Sequence, residues 1–236
     1  MVKLLLIVPA FNEEECLPST IQLLNSYPYD YVIINDGSDD RTEDIAKEYG
    51  ARVISLPFNQ GLSGAFTAGM RYALSNGYDY ALQFDADGQH LPEYIEPMLK
   101  KISQSDLDIL VGSRFVNSPM PKSMRSFGSL IIRYMLKLTT GQFLTDPTSG
   151  MRIYNKRMIA LYAKRADLTP EPDTLAYLIR NGARIEEYPV QIKERIAGTS
   201  YLRSWSAVKY MARMAFSILM IQFVRARISK KEEVTM

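Results

Sequence analysis

Tyr80-Ala81-Leu82-Gln83-Phe84-Asp85-Ala86-Asp87-Gly88 is the stretch on which the reading of this chain turns. Tyr80–Phe84 has strand character and runs directly into two carboxylates and a glycine, so a buried strand ends in an acidic turn. The same figure recurs upstream. Lys3–Pro9 is a strand whose apolar run Leu4–Val8 stops at Pro9 and opens into a turn over Ala10–Glu15. Tyr31–Asn35 is another, ended by Asp36-Gly37-Ser38-Asp39-Asp40, residues that favour turns and helix caps. Helical patterns over Leu17–Ser26, Glu43–Tyr49 and about Ala65 to Asn76 separate the strands, with a further strand at Arg52–Leu56 and a Gly-rich stretch Asn59-Gln60-Gly61-Leu62-Ser63-Gly64. Strand and helix alternating at this spacing predict an α/β fold, a mostly parallel sheet flanked by helices. In such sheets ligands lie beyond the carboxyl ends of the strands. The loops after Val8, Asn35 and Phe84 all fall there.

The second half is less regular. Strands are expected at Ile109–Gly112, Gly150–Tyr154 and Ala183–Val190, and helices at Ser123–Leu138 and Asp173–Arg180. From Ser206 to about Ile228 the pattern is helical and increasingly apolar, and the charged tail Ser229–Met236 is expected to fray. No repeat or low-complexity linker interrupts the chain, so residues 1–205 read as one α/β domain and 206–236 as a C-terminal helical extension.

Bulk composition narrows the partners. A chain of 236 residues suffices for one such domain with its own core. A net charge of +2 gives no reason to expect nucleic acid as a partner. The single cysteine, Cys16, excludes an internal disulfide framework and suits a reducing cytosol. Leu4–Val8 is too short and wrongly flanked for a secretory signal, and no segment reaches the roughly eighteen apolar residues that spanning a bilayer takes.

The chemistry begins at Asp85 and Asp87. Two carboxylates two residues apart repel unless a cation offsets them, and a hard divalent ion that also takes diphosphate oxygens would do so. Gln89 can add a neutral oxygen. An acidic turn capping a helix would show the same residues. His90 suits a ligand, a proton donor or a packing residue.

Taken together, Val8-Pro9-Ala10-Phe11-Asn12-Glu13-Glu14, Asn35-Asp36-Gly37-Ser38, Gly61-Leu62-Ser63-Gly64-Ala65 and Asp85-Ala86-Asp87-Gly88-Gln89-His90 resemble the family 2 glycosyltransferases, in their dolichyl-phosphate mannose synthase-like branch with bacterial polyprenyl-phosphate sugar transferases. The resemblance extends through Gly112-Ser113-Arg114, Asp146-Pro147-Thr148-Ser149-Gly150-Met151-Arg152 and Arg195-Ile196-Ala197-Gly198-Thr199-Ser200, to about Leu202. It implies a GT-A fold, a nucleoside-diphosphate-sugar donor, and inversion by direct displacement. It also implies that Pro9, Phe11 and Glu13 line the nucleoside pocket, with Phe11 lacking the hydroxyl of the tyrosine often found there. Asp36 would bond base or ribose, Asp85 would contact the nucleoside side, and Asp87 with Gln89 would hold Mg²⁺ or Mn²⁺. Arg114, Arg125 and Ser129 match positions that contact an acceptor lipid phosphate, and Arg195 one that contacts the donor diphosphate. Tyr201 stands where the family has lysine, so the closing loop loses a cation.

An acceptor phosphate is ionised at neutral pH and needs no strong base, whereas an acceptor hydroxyl does. Asp146 and Asp173 are the carboxylates available for that work or for positioning, and each fits equally well as a cap or first-turn residue. Arg125 and Ser129, four apart, share a helix face and can present a charged fork and a hydroxyl to one phosphate. Arg114, Arg125 and Arg133 fit solvated surface charges as well. The apolar run Met214–Val224 covers roughly 16 Å at about 1.5 Å per residue, half of a ~30 Å hydrocarbon core. Lys209, Arg213, Arg225, Arg227, Lys230 and Lys231 flank it, so it suits either the membrane interface or a subunit contact in a homo-oligomer. The expected protein is therefore a metal-dependent hexosyltransferase acting at the cytoplasmic face of the membrane on a polyprenyl (undecaprenyl or dolichyl) phosphate. A sugar-hydroxyl acceptor in polysaccharide synthesis and a non-catalytic nucleotide-sugar-binding assembly subunit are the alternatives.

Overall fold

Along β1 (Leu4–Ala10) successive side chains go to opposite faces of the sheet, and both faces are buried. Leu5 and Ile7 join one apolar cluster with Val32, Ile34, Phe66 and Met70. Leu4, Leu6 and Val8 join the other, with Leu17, Ile21, Ile33 and Leu82. A strand wanted by two cores has no polar face, and this explains its unbroken apolar run.

The computed structural model describes residues 2–120, 124–192 and 204–224, with side chains for all of these except 124–127, 204–208 and 221–224. After β1 the chain forms α1 (Leu17–Asn25), β2 (Asp30–Asn35), α2 (Thr42–Glu48), β3 (Val53–Ser55), α3 (Gly61–Ser75) and β4 (Tyr80–Gln83). A short 3₁₀ turn at Pro92–Tyr94 leads into α4 (Ile95–Ser103), then β5 (Ile109–Ser113), α5 (Met124–Thr140), β6 (Arg152–Asn155), α6 (Lys156–Lys164), α7 (Pro172–Arg180), β7 (Ile185–Pro189) and α8 (Ser204–Val224). The α/β expectation is met. Two helices, α4 and α6, were not singled out by sequence reading. The third helix begins at Gly61, so most of the Gly-rich stretch forms its first turn instead of a preceding loop.

The seven strands are ordered β3-β2-β1-β4-β6-β5-β7. All neighbours run parallel except β6, which lies antiparallel between β4 and β5. Two consequences place the site. The chain moves outward from β1 through β2 to β3 and then returns to β1's other side as β4, so β1/β4 is a topological switch point with a crevice at its carboxyl end. Antiparallel β6 starts where β4 and β5 stop, since Arg152 pairs with both Gln83 and Val111. The loop preceding β6 therefore joins the loops that follow the parallel strands.

α8 packs on α5 and α7. Met214 and Ile218 are buried in the first cluster, the Tyr210 hydroxyl donates to the Glu171 carboxylate, and Ser217 Oγ donates to Asp173 Oδ2 at 2.6 Å. No helix among the described residues is long and apolar enough to cross a membrane.

Candidate active site

The loops after β1 and β2 are laced together by hydrogen bonds between backbone and short side chains. Asn12 N–H donates to Ser38 Oγ (3.0 Å), and Asp39 N–H donates back to Asn12 Oδ1 (3.0 Å). Glu13 N–H donates to Thr42 Oγ1 (2.9 Å), and Glu14 N–H to Asp40 Oδ2 (3.1 Å). These bonds satisfy donors that a turn leaves open, and Asn12 adopts the left-handed region (φ 54°) to make them. Pro9 and Glu13 are half-buried, and Phe11 stays exposed at the rim.

Asp36 holds the third loop. Its own N–H donates to Ala10 O (2.9 Å), and its Oδ1 accepts from Gln60 N–H (2.8 Å) at the start of α3. Asp36 is buried, so one carboxylate oxygen serves the fold. Gly37 beside it has φ +66°, and a Cβ there would lie 2.6 Å from the Phe58 backbone carbon. Only glycine meets both conditions.

Asp85 and Asp87 follow β4 at the switch point. Thr20 Oγ1 of α1 donates to Ala86 O at 2.8 Å and ties this turn to the first loop. Asp85 Oδ1 accepts from Gln83 Nε2 (3.1 Å). His90 Nδ1 accepts from Asp85 N–H (3.0 Å), which leaves the imidazole proton on Nε2, 3.4 Å from Asp85 Oδ2. His90 is buried, lies edge-on to Phe84 and forms a backbone bridge with Ile192 after β7. Here it orients Asp85. Asp87 is also buried, and its Oδ1 accepts from Gln89 N–H at 3.0 Å. No group of three or more His, Cys, Asp or Glu side chains able to hold a metal occurs among the described residues. The donor set of Asp87 and Gln89 is all oxygen and incomplete. That fits a hard ion of the Mg²⁺ type, which keeps several ligands from water and phosphate.

Across the crevice, the loop Asp146–Gly150 enters β6. Gly150 abuts Asp85, since a Cβ there would sit 2.9 Å from Asp85 Oδ2. Asp146, wholly buried, is clamped by Arg114: Nε to Oδ2 at 2.6 Å and Nη2 to Oδ1 at 2.8 Å. This bidentate pair fixes Arg114 at the end of β5. Burial works against the Arg114 charge, but the bonds and charge of Asp146 outweigh it and raise the guanidinium pKa. Glu187 of β7 anchors the same loop, accepting from Thr145 N–H (2.6 Å), Asp146 N–H (2.7 Å) and Thr145 Oγ1 (3.0 Å).

Sequence reading missed Arg152. Its guanidinium is almost fully buried and donates to the carbonyls of Pro147 (2.8 Å), Ser149 (2.8 Å) and Pro170 (3.0 Å). An arginine opening an otherwise apolar strand was the available signal. Glu187 was missed too, for its partners lie some forty residues upstream. Ser129 is buried on α5. Asp173 sits in the first turn of α7, its Oδ1 accepting from Thr174 N–H (2.8 Å) and its Oδ2 from Ser217. The side chain of Arg125 lies outside the described residues, as do Arg195 and Gly198-Thr199-Ser200-Tyr201-Leu202.

A mostly parallel seven-stranded sheet with its acidic turn at the switch point is a GT-A-like fold. The chain belongs to glycosyl transferase family 2, whose model matches residues 5–161. It is 35% identical over 215 residues to an undecaprenyl-phosphate mannosyltransferase of Micrococcus luteus, covering 84% of this chain and 87% of that one. It is 32% identical to a UDP-N-acetylglucosamine–dolichyl-phosphate N-acetylglucosaminyltransferase of Methanococcus voltae, covering 79% and 84%. Among solved structures, glucosyl-3-phosphoglycerate synthase of Mycobacterium tuberculosis in complex with Mn²⁺, UDP and phosphoglyceric acid aligns over 97% of this chain and 80% of that one, with a TM-score of 0.65 at 17% identity.

Proposed function

We propose that this protein is an inverting glycosyltransferase that moves a sugar from a nucleoside-diphosphate donor to a polyprenyl phosphate. The observation that carries the reading is the pairing, across one crevice, of the Asp85/Asp87 turn with an Arg114 held bidentately by buried Asp146. Two relatives of different domains of life that carry polyprenyl-phosphate acceptors in their names support the same acceptor class.

In this reading Pro9, Phe11, Glu13 and Asp36 bind the nucleoside, Asp85 contacts the nucleoside side, and Asp87 with Gln89 would hold Mg²⁺ or Mn²⁺. The ion, with Arg195, supplies neutralisation of charge on the leaving diphosphate. Arg114, Arg125 and Ser129 orient the lipid phosphate so that one ionised oxygen attacks the anomeric carbon opposite the leaving group. That step needs no strong base. Asp146 is then a positioning residue for Arg114, and Asp173 a tie between α7 and α8. Residues 1–205 carry the chemistry, with α8 as an extension packed on them.

A membrane-surface location follows from the same acceptor. Tyr134 and Leu138 of α5, Phe143, and Phe216 of α8 are exposed large apolar side chains, and Lys137, Lys209 and Arg213 are exposed beside them in the chain. Apolar burial plus attraction to anionic headgroups is the physics of an interfacial helix. Phe216→Glu combined with Leu138→Glu should release the protein from anionic vesicles in co-sedimentation. Unchanged binding would refute this surface.

A panel of nucleotide sugars, with product measured in the presence and absence of undecaprenyl phosphate, tests the activity. Transfer that requires the lipid phosphate is expected. Transfer to sugar hydroxyls alone would replace the reading with the polysaccharide alternative, and donor binding without transfer or hydrolysis would replace it with an assembly subunit.

A further inference from the structure

Arg133 is buried on α5 with 6% of its surface exposed, and among the described residues neither its Nε nor its Nη2 has a hydrogen-bond partner. The Oγ of Ser129, also 6% exposed, has no partner among the described residues either. The two are four residues apart, one turn along the same helix face, with Cβ atoms about 5–6 Å from each other. Buried guanidinium and hydroxyl donors are expensive to leave unmade, and in native proteins such groups nearly always have a partner.

The surroundings name the kind of partner. The Arg133 guanidinium lies over the Phe115 ring at 5.2 Å, and that of Arg114 over the same ring at 5.1 Å. Two arginines thus flank one aromatic side chain at the mouth of β5. Burial lowers the pKa of Arg133, and the charge of Arg114 acts in the same sense, while Asp146 and Glu187 oppose both. Arg114 commits its Nε and Nη2 to Asp146, so only the rest of its guanidinium is open to an anion. Around Arg133, Asp146 and Glu187 are set against Arg114 and Arg133 itself. Removing Arg133 makes the place one unit more negative and less favourable to an anion entering beside Arg114. A phosphomonoester carries about −1.5 to −2 at neutral pH and offers three acceptor oxygens, which suits three open donors, two of them on one guanidinium cation.

We infer that Ser129 Oγ with Nε and Nη2 of Arg133 forms an inner contact to the acceptor phosphate, and that Arg133 makes this crevice select a phosphate over a hydroxyl. The inference rests on the lipid-phosphate reading above, which Arg133 deepens. It gives Arg133 an unusual signature: it costs stability in the free protein and returns it only when the anion is bound.

The test uses Arg133→Met, which keeps the stem and removes the charge, and Arg133→Lys. A short water-soluble prenyl phosphate is titrated calorimetrically into each full-length protein, with the unphosphorylated prenol as control, and thermal unfolding is followed without ligand. The Met variant should unfold at an equal or higher temperature than wild type. It should bind the prenyl phosphate on the order of ten- to a hundredfold more weakly, keep its weak response to the prenol and its calorimetric affinity for the nucleotide sugar, and Lys should recover part of the loss. Equal phosphate affinity in wild type and Met variant overturns the inference, as does a wild type that binds prenyl phosphate no better than prenol. A Met variant that melts lower and loses donor and acceptor affinity together makes Arg133 structural and overturns it too. Because binding is measured without turnover, failure of the transferase reading in the donor panel is a separate result.

Discussion

The two walls of the crevice are held by different physics. On the β1–β4 side, Asn12, Ser38, Asp39, Asp40 and Thr42 exchange single hydrogen bonds with backbone N–H groups, and no buried ion pair is present among them. On the β5–β7 side, a half-buried Arg114 forms an ion pair with the wholly buried Asp146, Glu187 anchors the loop behind it, and Arg152 gathers three carbonyls. The first wall resembles a set of caps, each worth about 1 kcal/mol and separable from the next. The second is a charged network in which removing one member strands another. Defects on the β1–β4 wall should therefore be graded, and defects on the β5–β7 wall abrupt.

Asp87→Asn is expected to have the largest effect on activity. It should lower transfer by at least about a hundredfold with the circular-dichroism melt unchanged, and EDTA should reproduce the loss in wild type. Full transfer by metal-stripped protein would show that the first wall works without an ion.

Asp146→Asn comes next and probes the network directly. Breaking a buried pair from one side should destabilise the fold by about 3–5 kcal/mol in urea unfolding and lower acceptor kcat/KM. A cost under about 1 kcal/mol would mean that the second wall is as separable as the first.

Arg125→Ala should lower acceptor kcat/KM by roughly ten- to a hundredfold, as loss of a charge-assisted contact does, while calorimetric donor affinity holds. Loss of donor affinity with intact acceptor kinetics would move Arg125 to the other wall. Gly150→Ala tests where the walls touch. A Cβ 2.9 Å from Asp85 Oδ2 must displace that carboxylate at a cost of about 1–3 kcal/mol, read as a raised donor KM with acceptor KM unchanged.

Thr20→Val should give the smallest change, about 1 kcal/mol in unfolding free energy and a donor KM altered less than twofold. A larger loss of activity would mean that the Asp85–Asp87 turn depends on α1 more tightly than one hydrogen bond to Ala86 explains.

The β1–β4 wall was legible in the sequence because its parts are local. Strands Leu4–Ala10, Asp30–Asn35 and Tyr80–Gln83 announce themselves by apolar runs. Their loops carry the turn residues that the backbone there requires: Asn12 and Gly37 at positive φ, Asp36 and Asp40 as acceptors. A parallel sheet delivers every such loop to one edge, so listing the loops nearly lists the wall. Sequence alone also identified Arg114, Asp146, Ser129 and Arg125 as residues of interest, through resemblance.

Tertiary structure alone decided what those residues do to one another. Nothing in the spacing says that β6 runs antiparallel between β4 and β5, yet that reversal brings Asp146 to Arg114 and Gly150 to Asp85. Thirty or more residues separate most of these partners, and a one-dimensional pattern records periodicity, not pairing at that range. The same limit hid Arg152, Glu187 and Arg133. A charged side chain reads as solvated until burial is known, and only the folded chain buries Arg152 and Arg133 and half-buries Glu187.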